Sequence, residues 1–431
     1  MQPGIRLRSV FERRNTVSPD LRLGREALIT LVIHGCFQFG ASMSALFLNL
    51  YLWRLTQDLT VNGLYYILLY ASLPGTFLLG GWISKRRDRM VTYRIGILMI
   101  ALFYLMVIVM QEKVVDYFIL FAIFNGISSG LYWSGFLVLQ YDVSTDTNRI
   151  RYLAINMIVF NFAGLVGPAL AGYVIQRSDG LSGYIFIFIL AFIMFLIAAI
   201  VSFRIRTVVT HHRAYHLNLM GLVMRKNRRW FKGLIAFFVL GLFQGVMLFL
   251  PGILLFQTVG REDWVGYLGV FFSALTVATG YVISRKARQE DVRKYMLASS
   301  TGTLIGASFL LIDVQLWSVL IYMILFSICN PLAINTLTSY YYRLMSKLPL
   351  RGQLREESVA MREVFLNTGR VLSIAALIIL SKDLESYWLP VVLVGTAALQ
   401  FALLGLMKEQ RASSAPAQAP ATAPTFTNES K

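Results

Sequence analysis

A single arginine, Arg370, stands inside an apolar run, Ser358 to Ser381, that is otherwise suited to lipid. A cation at such a depth costs ~2.5 to 3.5 kcal/mol on insertion scales, so it requires a partner. Asn367 shares its helical face, and Glu363 lies two turns away, roughly 10 Å at ~1.5 Å rise per residue, too far for direct contact. The remaining partners are a carbonyl or carboxylate of a neighbouring helix, or an anionic group of a bound solute. Two stripes of polar residues suggest the same kind of chemistry, binding by hydrogen bonds inside a membrane. His34, Gln38, Ser42 and Asn49 fall within roughly an 80° arc at ~100° per residue. Asn125, Ser129, Tyr132 and Gln140 share an arc of similar width, with Trp133 and Phe136 beside it. Gln244, Asn330 and Asn335 are further intramembrane polar residues that form no stripe. The competing reading of each is a hydrogen bond between helices, worth ~0.6 kcal/mol. An unperturbed histidine titrates in the physiological range, so His34 is either a proton relay or a packed, hydrogen-bonded side chain.

Enzymatic constellations are not visible. The chain lacks the Gly-x-x-x-x-Gly-Lys-Ser/Thr loop that cradles nucleotide phosphates, and no nucleophile stands with a base. His211, His212 and His216 have a spacing that metals use, but no cysteine or carboxylate accompanies them, and a basic surface is the simpler reading. Cys36 and Cys329 both lie in apolar segments, which speaks against a disulfide framework or a thiolate cluster. The expectation is a protein without metal, cofactor or catalytic residues, and not an enzyme.

The elements that position these residues follow from composition. Apolar residues make up 57% of the chain and charged ones 14%, against about a quarter charged in soluble domains. At ~20 apolar residues per crossing, helices are expected near Ala27 to Trp53, Asn62 to Ile83, Val91 to Gln111, Asp116 to Tyr141, Tyr152 to Ile175 and Leu181 to Phe203. A second set follows near Phe231 to Gln257, Trp264 to Ile283, Tyr295 to Ile312, Gln315 to Tyr341, Ser358 to Ser381 and Tyr387 to Met407. The fold class is therefore an all-α polytopic membrane protein of twelve transmembrane helices in two six-helix pseudo-repeats. Its expected divisions are a basic tail (1–26), a first bundle (27–203), a basic linker (204–230), a second bundle (231–407) and a disordered tail (408–431). Leu217 to Met224 in the linker suits a short interfacial helix. No signal peptide is expected, the first helix serving as the insertion signal.

The net charge of +18 is not a nucleic-acid signature, because the cations sit in short gaps between apolar runs. With the N-terminus inside, alternate gaps hold 34 Lys and Arg on the inner side and five on the outer, leaving Arg370 within the membrane. Such a bias marks the cytoplasmic side, so both termini are placed in the cytoplasm.

One basic hairpin recurs. Gly80-Gly81-Trp82-Ile83-Ser84-Lys85-Arg86-Arg87-Asp88-Arg89 is echoed by Gly280-Tyr281-Val282-Ile283-Ser284-Arg285-Lys286, as a duplicated membrane protein would show. The hairpin resembles the loop between helices two and three of the major facilitator superfamily, Gly-x-x-x-Asp-Arg-x-Gly-Arg-Arg/Lys, with Ser84 and Ser284 in place of the Asp. Ala163, Gly167, Pro168, Ala171 and Gly172 resemble the family's Gly-Pro-x-x-Gly-Gly antiporter element, Ala171 replacing a Gly; plain helix packing is the alternative. The gap Asp142 to Arg151 is similar to the family's link between helices four and five. The resemblance implies a central cavity lined by helices one, four, seven and ten, and a gating latch between Asp142 and Lys85 or Arg86. It implies a secondary active transporter of a small organic solute working by alternating access, coupled to a proton or an ion. Efflux is the preferred direction; uptake of a sugar or organic anion, and a transport-inactive receptor or scaffold, are the alternatives. The remaining expectations are a monomer in the lipid bilayer of the plasma membrane, here a bacterial inner membrane, with no nucleic-acid partner.

Overall fold

The computed structural model describes residues 22–144, 148–206, 215–286, 292–345, 347–349, 354–381, 384 and 386–407. Among them the chain is helical and free of strands. In lipid a backbone must satisfy its own polar groups, and helices do so within one segment. The first half comprises α1 (Arg25–Thr56), α2 (Leu59–Arg86), α3 (Arg89–Met110), α4 (Phe118–Asp142), α5 (Arg149–Arg177) and α6 (Ser182–Ser202). A short α7 (Leu217–Lys226) precedes α8 (Arg228–Met247), α9 (Leu250–Val259), α10 (Glu262–Lys286) and α11 (Val292–Phe309). The chain continues through α12 (Leu316–Met345), α13 (Arg355–Leu380), α14 (Trp388–Leu399) and α15 (Ala402–Leu406). Large apolar side chains such as Val109, Ile158, Phe162 and Ile379 are exposed around the bundle, as a lipid-facing surface requires.

Helix starts follow local chemistry. Asp58 and Asp88 cap α2 and α3 by accepting from the backbone N–H of Thr60 and Met90, and Asn227 caps α8 through Trp230 N–H. Between α9 and α10 the chain turns at Gly260, whose φ of +71° suits a residue without Cβ.

The two halves pack alike. In the first, α1 lies on α5, α2 on α4, and α3 on α4 and α6; in the second, α8 lies on α13, α10 on α12, and α11 on α12 and α14. The halves meet along α2 with α13 and α5 with α10. These two seams exchange when one repeat is mapped on the other. The repeat first visible in two hairpins thus extends to the whole packing scheme.

The crossings differ in detail from expectation. Eleven helical segments among the described residues are long and apolar enough to cross a membrane. The remaining one, α11, has 18 residues and carries Arg293, Lys294 and the hydroxyls of Ser299, Ser300, Thr301 and Thr303, which lower its hydropathy. The seventh crossing is broken between α8 and α9, because Pro251 near the start of α9 has no N–H to give and crowds the carbonyl four residues back. The eleventh begins at Arg355, three residues before the expected start, which brings Glu356 and Glu357 into the helix. The expected tails lie almost wholly outside the described residues, as do His211 and His212. We call the end of the bundle that holds Arg86, Arg149 and Arg355 the basic end, and the opposite end distal.

Candidate functional site

The site is built where α13 touches α8. Gly241, Gly245 and Gly369 remove the side chains from this contact, so backbone meets backbone; a Cβ on Gly245 would lie 2.7 Å from Arg370 Cα, and one on Gly369 would lie 2.8 Å from Leu242 N. Arg370 stands fifteen residues into α13, about 22 Å along a helix about 39 Å long at ~1.5 Å per residue. Its Nη2 donates to Gln244 Oε1 of α8 at 2.8 Å, and its Nη1 to Asn367 Oδ1 at 3.0 Å. The guanidinium carbon lies 5.0 Å from the ring centre of Tyr70 on α2. Arg370 therefore bridges the seam between the halves. Its Nε is buried and has no hydrogen-bond partner.

Glu363, the acid on the same face of α13, is already engaged. Glu363 Oε1 accepts from Arg362 at 2.6 and 3.1 Å, and its Oε2 accepts from Asn367 Nδ2 at 3.3 Å. Asn367 is fully buried and acts as a spacer, with its N–H toward Glu363 and its oxygen toward Arg370. Charge-assisted hydrogen bonds worth ~1.5 to 3 kcal/mol each offset the cost of holding Arg370 in the membrane. They do not neutralise it. From Tyr70 a row of rings runs along α2: Tyr70 to Tyr66, 5.9 Å between centres, then Tyr66 stacked on Phe249 at 5.3 Å. Tyr65 OH accepts from Asn125 Nδ2 at 2.8 Å, and Asn125 Oδ1 accepts from Ser129 at 3.4 Å.

The distal end is closed. The break in the seventh crossing leaves Phe249 O for Asn49 Nδ2 at 2.9 Å, and Asn62 Nδ2 donates back to Asn49 O and Oδ1. Arg54 of α1 pairs with buried Glu262 of α10 at 3.2 Å, and Tyr184 of α6 donates to the same oxygen. Along α5 and α10, a Cβ on Gly172 would meet Glu262 O at 2.6 Å, and one on Gly266 would meet Pro168 O at 2.6 Å. The Ala163 carbonyl accepts from Ser42 at 2.7 Å, Gly167 packs on α1 at Met43 N, 3.0 Å from its Cβ position, and Ala171 is buried. The residues of the Gly-Pro element thus lie at helix contacts.

At the basic end, Lys85 Nζ of α2 lies 2.7 Å from Glu357 Oε1 of α13, both side chains being buried. Glu357 belongs to the opposite half, so this pair joins the two halves at the basic end. The same Glu357 oxygen accepts His216 N–H at 2.9 Å, and Lys85 lies 5.5 Å from the Tyr215 ring centre. Burial, with the charges of Glu357 and Glu356, holds the Tyr215 hydroxyl well above the ordinary tyrosine value. Gly80 faces Ser134 and Thr92, Ser84 shares a hydrogen bond with Thr92 at 2.9 Å, and Arg86 lies over Trp82. In the second half Gly280 faces Met157 of α5. The side chains of Arg89, Ser284, Arg285 and Lys286 are outside the described set.

Arg370, Gln244 and Asn367 come together, although the sequence offers no sign that the seventh and eleventh crossings meet there. The α1 stripe is dispersed among four neighbours. His34 bonds Tyr132 OH at 2.7 Å and stacks on Phe136 at 3.9 Å; Ser42 faces α5; Asn49 faces α2 and α9; Gln38 is buried with its Nε2 unpaired. The α4 stripe divides too: Tyr132 is fully buried, while Trp133 and Gln140 are half-buried. On α12 Asn330 Oδ1 is buried without a partner and Asn335 is exposed. Tyr70, Arg54, Glu262 and Glu357 are the partners that periodicity alone does not single out as a set.

A family model described as Major Facilitator Superfamily matches residues 31–354, and the chain belongs to that superfamily. Its architecture is that of multi-pass membrane transporters. The uncharacterized protein YqgE of Bacillus subtilis (strain 168) is 28% identical over 362 residues, covering 84% of each chain. Among solved structures, the nucleoside transporter NupG aligns with a TM-score of 0.67 at 14% identity, over 89% of this chain and 100% of its own. The inward open form of the xylose transporter XylE from E. coli aligns with a TM-score of 0.65 at 14% identity, over 90% and 97%. At that identity the likeness concerns the fold.

Proposed function

We propose that the protein is a secondary active transporter that moves a small organic solute across the plasma membrane by alternating access, with Arg370 at the solute path. The observation that carries this reading is a charged side chain near mid-helix held by groups from both halves: Gln244 and Asn367 from one, Tyr70 from the other. A solute bound there touches both bodies that must rock, which is what couples binding to a change of access. The lysine and arginine bias of the loops supports a cytoplasmic basic end and cytoplasmic termini. Export is the direction we favour, on the resemblance of the α5 element to that of antiporters, and a proton or ion gradient drives it. NupG is a nucleoside transporter and XylE a xylose transporter, which agrees with a small organic cargo.

The test is counterflow in proteoliposomes against a panel of sugars, nucleosides and organic anions, followed by transport with imposed pH and sodium gradients in each direction. Protein-dependent exchange that is lost in Arg370→Gln supports the reading. Binding without exchange by the wild-type chain favours a receptor, and gradient-driven accumulation only toward the cytoplasmic side favours uptake.

A further inference from the structure

We propose that Arg370, Gln244, Asn367 and Tyr70 form a binding site for the carboxylate of a small monoanion whose flat, apolar body lies along the Tyr70, Tyr66 and Phe249 rings. This inference rests on the transporter reading and names its substrate class.

The argument starts from a charge count. Arg362 and Glu363 neutralise one another at 2.6 Å. Arg370 is left with two amide oxygens and a π face, and among the described residues no carboxylate pairs with it. The cluster therefore carries one excess positive charge in surroundings where an unpaired charge is costly. One negative charge from a ligand balances it, and two would overshoot. Asn367 enforces this state, because its amide keeps Glu363 and Arg370 apart while bonding both. A carboxylate at either amide position would complete the pair internally. The chain has Gln and Asn there instead.

Charge selects the acid. A guanidinium offers a planar fork that matches carboxylate and phosphate alike, but a phosphate monoester carries about −1.5 to −2 at pH 7, so the single excess charge favours the carboxylate. Here a single guanidinium is available, with its Nε unpaired. The backbone contact of α8 and α13 through Gly241, Gly245 and Gly369 fixes the height of Arg370, and the aromatic row leads away from it toward the broken seventh crossing. A neutral polar solute would leave the charge as it is, and a bulky dianion would reverse it.

Thermal unfolding of the purified full chain in detergent tests this with benzoate, its neutral isostere benzamide and the dianion phthalate. Benzoate is expected to raise the unfolding temperature, benzamide to leave it unchanged, and phthalate to do less than benzoate. Arg370→Gln should weaken benzoate binding about ten- to a hundredfold. Gln244→Glu serves as the second variant, since it places a carboxylate 2.8 Å from Nη2 without removing the arginine. It should raise the unfolding temperature of the ligand-free protein and abolish the benzoate shift. Equal shifts by benzamide and benzoate, no shift by benzoate, or a destabilised Gln244→Glu that still responds to benzoate would each overturn the proposal. If neutral solutes exchange in counterflow while benzoate does not bind, the substrate class fails and the transporter stands. If benzoate binds and nothing is translocated, the site stands and the transporter reading fails.

Discussion

Replacing Lys85 by methionine removes a charge while keeping most of the side-chain volume, and it isolates the bond that joins the halves at the basic end. Lys85 and Glu357 lie 2.7 Å apart with side chains only 6% and 0% exposed, so salt does little to screen them. Removing one member of such a pair strands the other charge and costs ~3 to 5 kcal/mol. Glu357 keeps the His216 N–H at 2.9 Å, a charge-assisted bond worth ~1.5 to 3 kcal/mol, so Lys85→Met should fall near the lower limit, about 3 kcal/mol. The double variant Lys85→Met/Glu357→Gln removes both charges of the pair and should be more stable than Lys85→Met alone. A double-mutant cycle by thermal unfolding in detergent should then return a coupling of at least ~2 kcal/mol. Single variants that each cost under ~1 kcal/mol and add without coupling would mean that the pair behaves as a solvated surface contact, and the reasoning from burial would be wrong.

Gly172→Val should push α5 and α10 apart, since even its Cβ would meet Glu262 O at 2.6 Å; a loss of ~1 to 3 kcal/mol is expected in thermal unfolding. His34→Phe should keep transport, at a cost of ~1 kcal/mol for the lost bond to Tyr132, because the ring otherwise packs on Phe136; abolished counterflow at normal expression would restore a relay role. Tyr215→Phe should be neutral at pH 7, because the hydroxyl is buried without a partner. Its folded proton affinity is raised above the ordinary value of 10.0, so the unfolded chain loses that proton first and stability falls as pH rises above 10; the variant should show a smaller alkaline loss in a pH series of unfolding temperatures.

Much of the architecture was legible because lipid imposes a length and a charge pattern on every crossing. The two hairpins at Gly80 and Gly280 marked the duplication that the paired helix contacts extend. The break at Pro251 was written in the sequence as well, but a hydropathy window passes over a proline set between Leu250 and Gly252 in an apolar run. Arg370 was conspicuous as a cation inside an apolar run. Its partners were less so, because periodicity says which residues share a face of one helix and not which helices touch. The α1 stripe shows the limit: His34, Ser42 and Asn49 share an arc, yet α1 is surrounded, and the three side chains bond α4, α5 and α9 in turn. Glu363 lies two turns from Arg370, and Asn367 spans that gap with a bond to each.

The central claim, that two halves rock about a site at Arg370, is tested most directly by spin-label distances across both ends. In a background with Cys36 and Cys329 replaced, labels at the exposed Gln57 and Ile379 report on the distal end, and labels at Arg87 and Lys347 on the basic end. Pulsed electron resonance in lipid nanodiscs should show two populations with opposite changes, the distal pair lengthening as the basic pair shortens. A transported solute should shift their ratio in the wild type and not in Arg370→Gln. A single invariant distance at each end, with or without solute, would contradict alternating access.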